Sequence, residues 1–202
     1  MTTKLAIIYY STYGHIRQMA EKMKEGVDAV EGVEATIYQV PDILPAEVLE
    51  KMHAPPKADH PIIKAADLTN FDGFLFGFPT RFGMMAASMK AFFDTTGGLW
   101  QSGGLVGKPA GLFTSSGTQG GGIETTALTA VTQLTHHGMI FVPTGYAFGS
   151  ALFSNDEVRG GTAYGASTLA GADGSRQPSK LELDFAEFQG KYFAGVAAKL
   201  AK

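Results

Sequence analysis

Short unbroken apolar runs alternate with amphipathic stretches along this chain. Residues 4–10 (KLAIIYY) are rich in β formers and carry no polar face, the pattern of a strand covered on both sides in a parallel sheet. Beyond the loop at 11–15, Ile16, Met19, Ala20, Met23, Val27 and Val30 recur at helical spacing until Gly32. Residues 35–40 read as a second strand, so the first forty residues predict a strand–helix–strand unit. A third strand is predicted over 71–78 (FDGFLFGF), with a helix over 84–95, and Trp100 follows Gly97-Gly98-Leu99 in a predicted loop. A fourth covers 110–114, with a helix running to about His136, and a fifth covers 139–142. The last helix carries Leu181, Phe185, Phe188, Tyr192, Val196 and Leu200 on one face. Strands alternating with helices predict an α/β fold with a doubly wound five-stranded parallel sheet. Two stretches have no period: 41–66, with Pro41, Pro45, Pro55, Pro56 and Pro61, and the glycine-rich 144–178. No second core pattern appears, so residues 1–202 read as one domain with two insertions.

Composition narrows the chemistry. Apolar residues make up 45% and charged residues 17%, enough for a packed core. A net charge of −3 gives no basic field, so nucleic acid is not an expected partner. Cysteine is absent, which excludes disulfides, thiolate catalysis and cysteine-ligated metals. The longest apolar runs are strand-length, so integral membrane contact is not expected. The start of the chain lacks a basic stretch followed by an apolar core, so the expected location is cytoplasmic. Glycine, at 26 residues, clusters where loops leave predicted strands.

Ligands of open α/β sheets bind outside the carboxyl ends of the strands. Three loops there have unusual composition. The first, Ser11-Thr12-Tyr13-Gly14-His15-Ile16, is short, carries hydroxyls and opens a helix; backbone N–H groups and the helix dipole suit it to a monophosphate. The alternative reading of the same residues is an ordinary N-cap with no ligand. The second, Pro79-Thr80-Arg81-Phe82-Gly83, combines a hydroxyl, a cation and an aromatic. The third, Ser115-Ser116-Gly117-Thr118-Gln119-Gly120, offers bare backbone to the edge of a flat ring. Rival motifs fail. The first turn has one glycine, not the three of a dinucleotide loop. Gly107-Lys108 is followed by Pro109, and Ser102 stands where a P-loop needs glycine. Neither G-x-S-x-G nor H-E-x-x-H occurs, and the five histidines have no ligand spacing except the adjacent His136-His137, a pair that rarely chelates one metal, so no metal is expected.

Together these segments resemble the WrbA-type NAD(P)H:quinone oxidoreductases of the flavodoxin-like FMN proteins, in the branch found in plants and fungi. The resemblance rests on YYSTYGHI (9–16), FGFPTRFG (76–83), TGGLW (96–100), GKPAG (107–111), SSGTQGGG (115–122), HHGM (136–139), the turn from Pro143 to Tyr146, RGG (159–161) and GSRQP (174–178). Ile123 stands where a polar residue is the pattern. The resemblance implies a flavodoxin-like fold with strand order 2-1-3-4-5, a homotetramer and one noncovalent FMN per subunit. It implies that 11–16 hold the phosphate, that Thr80, Arg81 and Phe82 flank the isoalloxazine, and that 115–120 take its pyrimidine edge. It puts Trp100 and His136 above the ring, Tyr13 near the nicotinamide and Tyr146 at the mouth.

The implied reaction is a ping-pong cycle in which NADH or NADPH passes hydride to flavin N5 and a quinone then takes two electrons in the same slot. His136 is the candidate donor to the quinone oxygen, and otherwise a cation at a helix end. Two other classes are carried beside this one: a flavodoxin-type one-electron carrier and a non-enzymatic FMN-binding assembly protein. A carrier docks through strong complementary fields, and no acidic run frames these loops.

Overall fold

The computed structural model describes residues 2–201. β1 (Thr3–Tyr9) leads into α1 (His15–Asp28), and β2 (Val33–Gln39) returns beside β1 in parallel, with Ile7 opposite Ile37. Every residue of β1 but one is buried, whereas β2 alternates buried and exposed, as an edge strand must. The irregular stretch after β2 holds α2 (Ala46–Lys51) and a 3₁₀ turn over Ala65–Asn70. β3 (Gly73–Arg81) pairs with β1 on its other side. β4 (Met84–Met85), α3 (Ala87–Asp94) and α4 (Gly97–Ser102) follow, then β5 (Pro109–Ser116), α5 (Ile123–His136), β6 (Ile140–Phe141), β7 (Ser167–Leu169) and α6 (Lys180–Leu200).

The parallel order is β2-β1-β3-β5-β6, the expected 2-1-3-4-5 winding when the predicted strands are counted. Alternation along β1 divides the core. Ala6 and Ile8 face one way, with Phe74, Phe76, Met89 and Phe93 under α3 and α5; Leu5 and Ile7 face the other, with Met19, Met23, Phe113, Phe185 and Phe193 under α1 and α6.

Three local expectations are corrected. The fifth strand is broken: β6 pairs with Pro109 and Ala110 at the start of β5, and β7 pairs with Thr114–Ser116 at its end, so the stretch at 144–178 contains a strand. The helix expected from Met84 begins later, because Met84 and Met85 return antiparallel to Thr80 and Arg81. Trp100, expected in a loop, lies on α4.

At the foot of the sheet, buried His137 lies with Nε2 2.8 Å from Thr96 Oγ1, whose own proton goes to the Phe93 carbonyl; Nε2–H is therefore the donor. Its Nδ1 is buried and has no partner among the described residues. Burial holds its pKa below the ordinary 6.5, so the unfolded chain takes up a proton before the folded one. The neutral ring's contribution is full above pH 6.5 and is lost as pH falls below it. Urea unfolding between pH 7 and 5 is expected to show a fall in stability with acid that is shallower in His137→Gln; equal slopes would remove His137 as the cause.

Candidate functional site

β1, β3, β5 and β7 deliver four walls to one cleft of about 390 Å3 at the carboxyl edge of the sheet. Ser11, Thr12, Tyr13, His15 and Ile16 form the first wall. The chain turns from β1 into α1 at Gly14, which caps the helix at φ 93°, a left-handed conformation that glycine takes without strain. Among the described residues the backbone N–H groups of Thr12, Tyr13, His15 and Ile16 have no protein acceptor, as expected at a helix start. Ser11 and Thr12 are buried. The Ser11 hydroxyl accepts from the Gly14 N–H at 3.0 Å, which leaves its own proton free to donate. The result is a ring of donors at the positive end of a helix.

This loop is braced from behind by the proline-rich excursion. Lys57 Nζ donates to the Ser11 carbonyl at 3.0 Å and pairs with Asp42 at 2.9 Å. Tyr10 Oη donates to Asp42 at 3.2 Å, and the Leu44 N–H donates to it at 3.0 Å. Burial pushes the Asp42 carboxyl up, but the Leu44 N–H, Lys57 and Tyr10 outweigh it and hold the group below its ordinary range. Tyr13 Oη reaches the Met52 carbonyl at 3.1 Å and ties the loop to the end of α2.

Pro79, Thr80 and Arg81 form the second wall. Thr80 Oγ1 lies 2.6 Å from Thr126 Oγ1 and accepts from the Gly83 N–H at 3.2 Å, which fixes the turn that follows. Arg81 enters no ion pair among the described residues; its Nη1 donates to the Thr80 carbonyl at 2.9 Å, and its Nη2 lies 3.5 Å from Thr12 Oγ1. Its charge therefore stands beside the ring of donors. Phe82 and Gly83 connect β3 to β4 with both φ angles positive, 55° and 78°, the requirement of a two-residue type I′ turn. Phe82 has no glycine freedom there, and its side chain is wholly exposed.

Ser115, Ser116 and Gly117 form the third wall, and Ala170, Gly171, Ala172, Asp173 and Gly174 the fourth. The fourth wall was not anticipated from sequence. Its signal was the Gly171…Asp173-Gly174 turn composition directly after the β-forming Thr168-Leu169.

Several expected residues lie elsewhere in the chain. Gly14 shapes the first wall without lining the cleft, and Phe82 points away from it. Thr118, Gln119 and Gly120 leave it as the chain turns at Gly120, φ 67°. Trp100 is exposed on α4. Tyr146 is exposed and stacks on Phe153 at 5.4 Å. His136 is the last residue of α5, roughly 20 Å along that helix from Ile123 at 1.5 Å per residue. One chain does not bring these three to the cleft.

Comparison with known proteins agrees with the geometry. The solved structure of a flavodoxin, WrbA-like protein from Agrobacterium tumefaciens superimposes with a TM-score of 0.69 at 23% identity, covering 98% of this chain and 99% of that one, and so shares the fold. Quinone-oxidoreductase QR2 of Triphysaria versicolor is 60% identical over 200 residues, 99% of this chain and 98% of that protein. The NAD(P)H quinone oxidoreductase PST3 of Candida albicans is 54% identical over 200 residues, 98% of this chain and all of that one. The family described as NADPH-dependent FMN reductase matches residues 3–152, which carry three of the four walls. Because that match spans about three-quarters of its length, the chain belongs to the NADPH-dependent FMN reductase family.

Proposed function

We propose that this protein is an FMN-dependent NAD(P)H:quinone oxidoreductase that reduces quinones by two electrons. The observation that carries the reading is the cleft itself. Unpaired N–H groups at the start of α1, two buried hydroxyls and the Arg81 guanidinium converge at one end, which is the donor set a phosphate needs. Pro79, Thr80 and Ser115–Gly117 line the rest of these walls and are left for a ring system. Bound there, FMN supplies the two-electron chemistry that lets a nicotinamide donor and a quinone acceptor react in turn.

The residues present have separable tasks. Ser11–Ile16 hold the phosphate. Arg81, with Nη2 3.5 Å from Thr12 Oγ1, adds its charge to that phosphate end. Thr80 keeps the β3–β4 turn in place. Expelling water from the ring end is left to groups this chain does not bring to its own cleft.

That deficit supports an assembly of identical chains, the homotetramer that the family resemblance implies. Phe82 is held in a conformation that costs about 1–3 kcal/mol outside glycine, with its ring fully exposed. Trp100 and Met84 are also exposed apolar side chains. A neighbouring subunit that covers them places aromatic surface over the ring end, with its Trp100 and His136 as border and proton-donating groups. We locate this assembly in the cytoplasm.

A direct test is spectral. The purified protein, loaded with FMN, is expected to bleach on NADH or NADPH addition and to recover its absorbance on addition of benzoquinone. Slow bleaching by either nicotinamide would point to a one-electron carrier, and failure to take up FMN would remove the reading. If the assembly supplies His136, His136→Ala lowers quinone turnover roughly tenfold, the worth of one hydrogen bond, while the FMN dissociation constant stays unchanged. Unaltered turnover would leave His136 without a catalytic part.

A further inference from the structure

The first turn of α6 contains a carboxylate with no access to water. The Glu182 side chain is 0% exposed. As the third residue of a capping box it needs one donor, the Ser179 N–H, which it receives at 2.8 Å. It takes four further groups. The Gly160 N–H and the Thr168 hydroxyl each donate at 2.8 Å, the Leu169 N–H at 3.2 Å, and Arg176 Nη1 at 2.9 Å. A capping glutamate does not require such a set; a carboxylate that organises a loop does.

The loop it organises is the fourth wall of the cleft. The wall, 170–174, runs between Leu169 and Arg176, and both of these donate to Glu182. The loop is closed by the Arg176 N–H on the Ala170 carbonyl at 2.9 Å. Arg176 is fixed from two further directions, donating Nη1 to the Leu169 carbonyl at 2.7 Å and Nη2 to the Val158 carbonyl at 3.0 Å. Its own carbonyl accepts from His15 Nε2–H at 2.8 Å. His15 is the first residue of α1 and lies in the first wall beside the unpaired N–H groups. An unbroken chain of charge-assisted and neutral hydrogen bonds therefore runs from α6 to the donor ring.

We propose that Glu182 is a positioning residue for the anion end of the cleft: it clasps both stems of the 170–174 wall and, through the Arg176 carbonyl, sets His15 against the donor ring. The inference rests on the FMN reading above and adds a residue that touches neither cofactor nor substrate. The opening of α6 thereby becomes part of the binding site, although it lies beyond residues 3–152, which the family match covers.

The test separates positioning from bulk stability by using two ligands that differ only in phosphate. Apoprotein of the wild type, Glu182→Gln, Arg176→Lys and His15→Ala is titrated with FMN and with riboflavin by quenching of flavin fluorescence, with thermal melts alongside. Glu182→Gln keeps the shape but faces Arg176 and four other donors with a neutral amide. It is expected to raise the FMN dissociation constant about tenfold or more, and to raise that of riboflavin several-fold less. Arg176→Lys keeps the cation, loses the fork and follows the same pattern; it decides the matter if Glu182→Gln does not fold. In the His15→Ala background the Glu182→Gln loss is expected to shrink, because the link between the two is already cut. Folded variants whose FMN affinity stays within about twofold of wild type would overturn the proposal, as would equal losses for FMN and riboflavin. A wild-type chain that binds no FMN would overturn the functional reading and this inference with it; a wild type that binds while the variants bind equally well overturns the inference alone.

Discussion

Gly190→Ala is expected to cost about 3 kcal/mol of folding stability or more, at the upper end of what one added methyl does in a packed interior. α6 crosses α1 at this residue. A Cβ built on Gly190 would sit 2.0 Å from the Met23 carbonyl oxygen and 2.8 Å from its carbon, and one on Gly26 would meet the Glu187 carbonyl oxygen at 1.9 Å. Each helix therefore uses a glycine to admit the other's backbone. A side chain could swing aside, but a carbonyl inside a helix cannot, so the axes must separate. Separation loosens contacts across the whole seam, where Met19, Met23, Phe193, Ala194 and Ala197 pack. Alanine returns only about 1 kcal/mol of helix propensity. Gly195 on the same helix meets nothing within 4 Å, so Gly195→Ala should be neutral or slightly stabilising. Urea unfolding of the two variants supplies the comparison, with a Tm for Gly190→Ala lower by roughly 6–12 °C. Equal stability of the pair would show that the seam adjusts at no cost.

How far the fold could be read in advance follows from the length of its signals. The runs at 4–10, 71–78 and 110–114 became β1, β3 and β5 because a strand buried on both faces admits almost no polar residue. The cleft's first wall was legible for a related reason. Ser11 to Gly14 stands between such a strand and an amphipathic helix, where few roles other than turn, cap or anion site are open. β4 and β7 were not legible: two and three residues cannot display a period. The β3–β4 turn was further disguised by Phe82 at a position that asparagine or glycine normally takes. The fourth wall was hidden for another reason. Its anchor, Glu182, reads in sequence as one more capping-box glutamate, and only the fold brings β7 and Arg176 onto it. Thr118 to Gly120 follow three wall residues directly, and the chain turns at Gly120, which sequence adjacency alone does not show. His136 and Trp100 are exposed outside the cleft of this chain, and a part for them at the ring end rests on the assembly proposed above.

Thr12→Asp is expected to raise the FMN dissociation constant about a hundredfold or more, while riboflavin binding changes little. Thr12 is 4% exposed and lines the cleft; its N–H is unpaired, and its hydroxyl lies 3.4 Å from Tyr10 Oη and 3.5 Å from Arg81 Nη2. The substitution changes volume little, so the loop keeps its braces to Lys57 and Met52. What changes is charge. Two unit charges about 4 Å apart near a protein surface repel by about 4 kcal/mol, and a phosphate dianion feels this twice. Arg81 offsets part of the repulsion by turning to the new carboxylate, but it then no longer serves the phosphate. Acidification separates this effect from simple damage to the loop. As pH falls through the carboxylate range the added charge is neutralised and FMN affinity should recover toward wild type, which a distorted backbone would not allow. A parallel loss of riboflavin at neutral pH would place the phosphate elsewhere and undo the assignment of residues 11–16 as its cradle.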